Sequence, residues 1–240
     1  MIKILSLDTT SKNASISISI DNEVRYEYNF ATQDELSAVL VSSIEFVLNS
    51  SGFKLSDIDA FGVGIGPGLF TGMRVGLAAL KGLIFGTGKP VVPVVTLEAL
   101  AYKYNESGLP IIAMIDAKRD EVYIAGYLFV NNHMEEIMAP ALIPISRLKE
   151  HVESLGSDFT EFYFVGSGAE AYKTLIREHF GQSKICRRSY FLASEICKIA
   201  FSQLKKNKYI TDLQRLFPFY IRKPDAEENW GDKEAKPALC

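Results

Sequence analysis

Ile65-Gly66-Pro67-Gly68-Leu69-Phe70-Thr71-Gly72-Met73-Arg74-Val75-Gly76 is the stretch whose reading decides the fold. A β-rich run over residues 60–65 feeds a Gly-Pro-Gly turn, and a helical pattern follows to about Gly86. Gly66 and Gly68 accept backbone angles that a side chain forbids, and Pro67 fixes its own φ. Thr71 has the chemistry of a helix N-cap. A glycine-rich turn at a helix N-terminus can hold phosphate, but no Gly-Lys-Ser/Thr follows, so this is not a Walker A loop. The same residues read equally as a tight strand-to-helix crossover.

The helix that follows carries two stripes. At roughly 100° per residue, Gly72, Gly76, Ala79, Gly82 and Gly86 fall on one line, and Met73, Leu77, Leu80 and Ile84 on an apolar line beside it. Arg74 and Lys81 supply its charges. A helix with so little polar surface is buried on more than one side. Glycine costs roughly 1 kcal/mol at each helix-interior position, so several in one stripe predict a close backbone approach. One face is expected on a sheet, the other against more of this chain or another protein.

The chain has 240 residues, 48% hydrophobic, enough for a real core. A net charge of −3 argues against a chain that grips nucleic acid by itself. Cys186, Cys197 and Cys240 are odd in number and lack metal-ligand spacing, so they read as reduced cytosolic thiols. The N-terminus runs straight into a strand without a signal peptide, and no apolar run approaches the ~18 residues of a membrane span. A cytoplasmic chain is expected.

Residues 2–8, 14–20 and 24–30 read as three antiparallel strands with an Asp8-Thr9-Thr10 turn after the first. The strict Ser/Ile alternation of residues 14–20 predicts a half-buried strand. The turn's carboxylate and hydroxyls are suited to a nucleotide's metal and phosphate, or to capping the turn itself. A helix over 35–49 carries Leu36, Val39, Leu40, Ile44, Val47 and Leu48 at helical spacing. Strand 60–65, helix 71–86, strand 90–95 and a short helix 97–105 capped by Thr96 complete a βββαβαβα half. The pattern then repeats: strands 111–116, 121–130 and 137–143, helix 146–155, strand 162–165, Gly166-Ser167-Gly168 opening helix 169–180, and helix 195–206 capped by Ser194. Two strand–turn–strand units, each entered through an apolar residue and Asp, predict a duplicated fold. The division is an N-terminal lobe over 1–105 with 210–225 packing back on it, a second lobe over 106–209, and a frayed tail over 226–240.

This order and its first turn resemble the actin–hexokinase–sugar kinase superfamily. The resemblance implies an α/β, duplicated actin-like ATPase (ribonuclease H-like) fold, with two lobes that are each a mixed sheet flanked by helices. It narrows to the bacterial TsaB (YeaZ) family on four motifs in order: Leu7-Asp8-Thr9-Thr10, the Gly66 to Gly76 turn and helix, Ile115-Asp116-Ala117-Lys118-Arg119-Asp120-Glu121-Val122-Tyr123, and Pro218-Phe219-Tyr220-Ile221-Arg222. The glycine turn is shared with the catalytic paralogue TsaD; length and the Asp116 to Tyr123 motif separate the two. The paralogue's metal-binding His-x-x-x-His pair has no counterpart in Thr32-Gln33-Asp34-Glu35-Leu36-Ser37-Ala38-Val39-Leu40. His133, His151 and His179 share no short spacing and read as surface residues. Gln33, Asp34 and Glu35 read as a helix start.

The resemblance implies a non-catalytic subunit that activates TsaD to form threonylcarbamoyladenosine in tRNAs reading codons that begin with adenine. TsaD and the ATPase TsaE are the implied partners, and tRNA is contacted mainly through the complex; a homodimer of the chain alone, through the helices a partner would cover, is left open. No cofactor is expected in this chain; ATP and a metal belong to the partners. Leu36, Leu40, Ile44, Leu69, Phe70, Met73, Arg74, Leu77 and Leu80 are the candidate partner interface. Asp8, Thr9, Thr10, Asp116, Gly166, Ser167 and Gly168 occupy the places of a vestigial nucleotide site, with Asp116 and Arg119 expected as a structural pair. Lys205-Lys206-Asn207-Lys208 reads as a solvated helix end. The competing classes are an ATP-dependent kinase of the superfamily and a peptidase, the latter unsupported by any Ser/His/Asp order or His-Glu-x-x-His motif.

Overall fold

The computed structural model describes residues 1–31, 36–106, 108–131, 133–156 and 159–222. Two five-stranded mixed sheets have the same topology. In the first, β1 (Lys3–Asp8) lies between β2 (Asn13–Ile20) and β4 (Ala60–Gly66), flanked by β3 (Glu23–Ala31) and β5 (Val91–Val95), in the order β3-β2-β1-β4-β5. In the second, β6 (Ile111–Lys118) takes the place of β1, and β7 (Glu121–Val130), β8 (His133–Pro144), β9 (Tyr163–Val165) and β10 (Lys184–Cys186) follow in the order β10-β9-β6-β7-β8. The first three strands of each set are antiparallel and the last two join in parallel. The duplicated actin-like, ribonuclease H-like architecture expected from the sequence is present. Strand β10 is an addition to the sequence reading, and β8 is longer than predicted.

The helices make three layers around the sheets. α1 (Leu36–Ser51) and α2 (Phe70–Ile84) cover the outer face of the first sheet, where Leu5, Leu7, Ile16, Ile18, Phe61 and Val63 meet them. α4 (Leu148–Glu153), α5 (Ser167–Ala171) and α6 (Lys173–His179) cover the outer face of the second, over Ile112, Met114, Ile124 and Phe164. α3 (Thr96–Tyr102) and α7 (Ala193–Lys205) lie between the sheets. The predicted helix 169–180 is thus two short helices, broken at Tyr172, whose ψ of 25° leaves the helical run.

The lobes interleave. α7, assigned by sequence order to the second lobe, packs across β1, β2, β4 and β5 of the first, while α3 touches β6 and β7 of the second as well as β4 and β5. The boundary at 105/106 therefore divides the sequence and not the core. Residues 210–216 return to the first sheet: Ile210 pairs with Val91, and Leu216 is 1% exposed within the α1–α2 core.

Three expected side-chain caps are absent. Thr71 and Ser194 sit inside the first turns of α2 and α7, and Thr96 begins α3; the N-cap positions belong to Leu69, Leu192 and Val95, none of which makes a side-chain cap bond. For α7 the cap comes from across the fold. Ser15 Oγ of β2 accepts the N–H of Leu192 at 3.1 Å and of Ala193 at 3.0 Å. The serine face of β2, expected in solvent, is accordingly buried: Ser15, Ser17 and Ser19 are all fully covered. Alternation identified the strand but not that its polar face meets a helix.

Candidate functional site: interlobe cleft and outer helix face

The turn after β1 is sealed by α2. Leu69 donates its N–H to Thr10 O at 2.7 Å, and Thr9 Oγ1 donates to Gly72 O at 2.9 Å. A β-carbon on Gly68, Gly72 or Gly76 would lie 2.1–2.2 Å from Thr10 O, Thr9 O or Thr9 Oγ1 respectively. The glycine stripe thus serves an approach within the chain. Its continuation does not: Gly82 faces open space, and Gly86 lies past the helix end at φ +74°. At the turn itself, Gly66 has φ +112° and precedes a cis peptide to Pro67.

Asp8, Thr9 and Thr10 are 0%, 1% and 2% exposed. Asp8 Oδ1 accepts from Thr10 N (3.1 Å) and Thr10 Oγ1 (2.8 Å), while Oδ2 is buried with no partner. Burial pushes the Asp8 carboxyl up to about 6 against the bonds from Thr10; Glu195 adds to the rise and Lys103 opposes it. Sequence reasoning missed this pair. Lys103 Nζ lies 3.1 Å from Glu195 Oε2, both side chains about nine-tenths buried, and donates to Phe191 O at 2.8 Å.

Beside the sealed turn, a cleft of about 730 Å³ opens between the lobes. Thr10, Lys12, Met73 and Arg74 line one wall, and Asp116, Lys118, Tyr123 and Ser167 the other. Asp116 pairs with Lys118 through both its backbone N–H and its ammonium, and donates its own N–H to Ser167 Oγ at 3.1 Å. Partial burial acts to raise the Asp116 carboxyl, but the Lys118 contacts outweigh it and hold it below the usual range. Gly166 and Gly168 are packing positions: a β-carbon on Gly166 would lie 2.3 Å from Met114 O, and one on Gly168 2.9 Å from Met114 Cβ. So Asp116 and Ser167 reach the cleft with Thr10, whereas Asp8, Thr9, Gly166 and Gly168 do not line it.

The candidate interface divides by burial. Leu40, Ile44, Leu77 and Leu80 are at most 4% exposed, held in this chain's own core by the first sheet, and leave the interface set; Met73, 3% exposed, lies against the Gly66 turn and lines the cleft wall. Leu36 and Phe70 are half-buried, and Leu69 and Arg74 are exposed. The outer surface is still apolar: Val41 is 50% exposed, Phe46 56%, Leu69 46% and Phe85 85%. The periodicity that named the inner residues could not say which of two apolar stripes faces out.

Among the described residues no group of three His, Cys, Asp or Glu side chains is placed to hold a metal, and no helix is long and apolar enough to cross a membrane. His133 and His179 are exposed, His151 half-buried. Gln33, Asp34, Glu35, Cys240 and the tail over 226–240 lie outside the described residues.

A model of the family described as "TsaD: tRNA N6-adenosine threonylcarbamoyltransferase" matches residues 31–230. The Escherichia coli tRNA threonylcarbamoyladenosine biosynthesis protein TsaB is 28% identical over 97% of this chain and 100% of its own length. The solved structure of YeaZ from Pseudomonas aeruginosa superposes with a TM-score of 0.75 at 25% identity, over 92% of this chain and all of that one. For the fold alone, the ROK hexokinase of Thermus thermophilus gives a TM-score of 0.51 at 11% identity, over 85% of this chain and 100% of its own. With a family match across most of its length and TsaB-like relatives end to end, the chain belongs to the TsaD: tRNA N6-adenosine threonylcarbamoyltransferase family, in its TsaB (YeaZ) branch.

Proposed function

We propose that this chain is a TsaB-type, non-catalytic subunit that binds and activates a TsaD catalytic subunit, with a TsaE ATPase joining the pair, to form N6-threonylcarbamoyladenosine in tRNA. The observation that carries this reading is the sealed first turn. A phosphate or metal held at Asp8 needs an accessible carboxylate and a free backbone cradle. Here Asp8 is covered completely, its Oδ1 is taken by Thr10, and the α2 backbone stands against Thr9 and Thr10. The residues present do not fit an ATP–metal site at that turn, so ATP and metal are assigned to the partner subunits. The exposed apolar surface of α1 and α2 supports a partner face there, since water-exposed side chains such as Val41, Leu69 and Phe85 gain by being covered. tRNA contact is assigned mainly to the complex, and the compartment to the cytoplasm.

The test is reconstitution with TsaD, TsaE and the synthase that makes the threonylcarbamoyl adenylate. Omitting this chain is expected to abolish or sharply reduce tRNA modification; undiminished modification without it overturns the reading. ATP turnover by the isolated chain would instead favour a superfamily kinase.

A further inference from the structure

The fourth motif, Pro218-Phe219-Tyr220-Ile221-Arg222, has a place in the fold that the partner reading does not use. Residues 219–222 cross the cleft from one wall to the other. At the first lobe, Phe219 donates its N–H to Ile65 O at 2.8 Å. The Tyr220 ring stacks on Phe70 at 4.8 Å between centroids, and the Arg74 guanidinium lies over the Phe70 ring, 3.8 Å from its centroid, with Nε donating to Tyr220 OH at 3.0 Å. At the second lobe, Arg222 Nη1 donates to Ala117 O at 2.8 Å, and Nη2 pairs with the Glu121 carboxylate. The Arg222 side chain is 18% exposed and that of Glu121 30%, so the ion pair is partly withdrawn from solvent. A forked guanidinium held at two points fixes geometry in a way a point charge does not.

We propose that residues 219–222 are a clamp that couples the two walls of the cleft, so that releasing either end loosens the other. The first lobe's anchors, Phe70 and Arg74, stand on α2 next to exposed Leu69. Lys118 and Tyr123, which line the far wall, stand in or beside the β6–β7 turn that Arg222 grips. Because α3 and α7 join the sheets in a common core, the coupling acts at the cleft mouth and not by separating the lobes. Coupling of this kind is reciprocal: whatever one end does to the other must also run in reverse. The clamp does not depend on the partner reading. On that reading it would give a protein docked on α2 a mechanical route to the second lobe.

The test is amide hydrogen exchange of the isolated full-length chain, with each end released in turn. Arg222→Ala touches only the second lobe, and its distant probes are the amides of Leu69 and Met73, bonded to Thr10 O and Leu69 O. Tyr220→Ala touches only the first, and its distant probes are the amides of Lys118 and Ile145, bonded to Asp116 Oδ1 and Asp120 O. Each variant is expected to speed exchange at its distant probes about tenfold, the scale of one charge-assisted hydrogen bond, while Phe180 in the outer layer is unchanged. If an alanine variant does not fold, Arg222→Lys and Tyr220→Phe apply the same test with smaller cuts. Acceleration confined to the near probes, or an equal rise at every amide including Phe180, overturns the clamp.

Discussion

The carbonyl oxygen of Thr9 occupies the place where a side chain on Gly72 would begin: a β-carbon there would lie 2.1 Å from it. Backbone on both sides leaves nothing to move aside. Gly72→Ala is therefore expected to cost about 3 kcal/mol or more, the upper end of overpacking. Gly76→Ala meets the Thr9 hydroxyl, which can rotate by giving up its bond to Gly72 O, and is expected to cost about 1–2 kcal/mol. Gly82→Ala, in the same helix with open space around it, is expected to stabilise by about 0.5–1 kcal/mol. Urea denaturation of the three variants checks the order.

Asp8 sets a pH dependence. Its folded-state value of about 6 lies above the ordinary 3.8, so between those values the native state holds the extra proton. This group's contribution is most favourable below about pH 4 and is lost as pH rises through 6. Asp8→Asn removes the buried charge and keeps the acceptor for Thr10. It is expected to raise stability at pH 7.5 by about 2 kcal/mol, with a difference from wild type that shrinks toward zero or reverses near pH 4. Thermal denaturation from pH 4 to 8 checks both the sign and the window.

Two neighbouring leucine-rich helices make inside and outside separable by charge. Leu40→Glu places a carboxylate in the core and is expected to cost about 4 kcal/mol or more, enough to unfold many domains. Val41→Glu and Leu69→Glu stand in solvent and are expected to change stability by less than about 0.5 kcal/mol. On the partner reading, the same two substitutions weaken binding to TsaD at least about tenfold, the cost of a central interface residue. Circular dichroism together with titration calorimetry separates the outcomes, and unchanged affinity in the folded variants removes α1 and α2 from the interface.

Ser15 carries the cap of α7. Ser15→Ala leaves the N–H groups of Leu192 and Ala193 without an acceptor in a dry site, and is expected to cost about 2–3 kcal/mol. Ser194→Ala loses only a 3.4 Å contact with Ser17 Oγ and is expected to stay within about 1 kcal/mol. Equal effects in chemical denaturation would return the cap to Ser194.

Local chemistry made the strands legible. Alternation placed β2, the Gly-Pro-Gly turn placed the β4–α2 junction, and the repeated entry through Asp8 and Asp116 revealed the duplication. What stayed hidden depends on residues far apart in the chain. Thr71, Thr96 and Ser194 have cap chemistry, yet a cap is decided by where the N–H groups end up, and for α7 that is beside a serine 178 positions away. The same holds for the site. Asp8, Thr9 and Thr10 carry the functional groups of a phosphate turn, and only their contact with Gly68, Gly72 and Gly76 shows that turn closed. The apolar residues of α1 and α2 were correctly read as apolar, but inner and outer positions differ by a rotation that spacing alone does not fix.

The interleaving of α3 and α7 bears on how the molecule is made. β1 leaves the ribosome long before the helix that covers its inner side, which ends at Lys205. A nascent chain that stops short of α7 has its first five strands translated, with only α3 on the inner flank of that sheet. Separating the chain between the two sheets would leave the first without α7 and the second without α3, so the doubled architecture behaves as one cooperative body that matures only once α7 has been made.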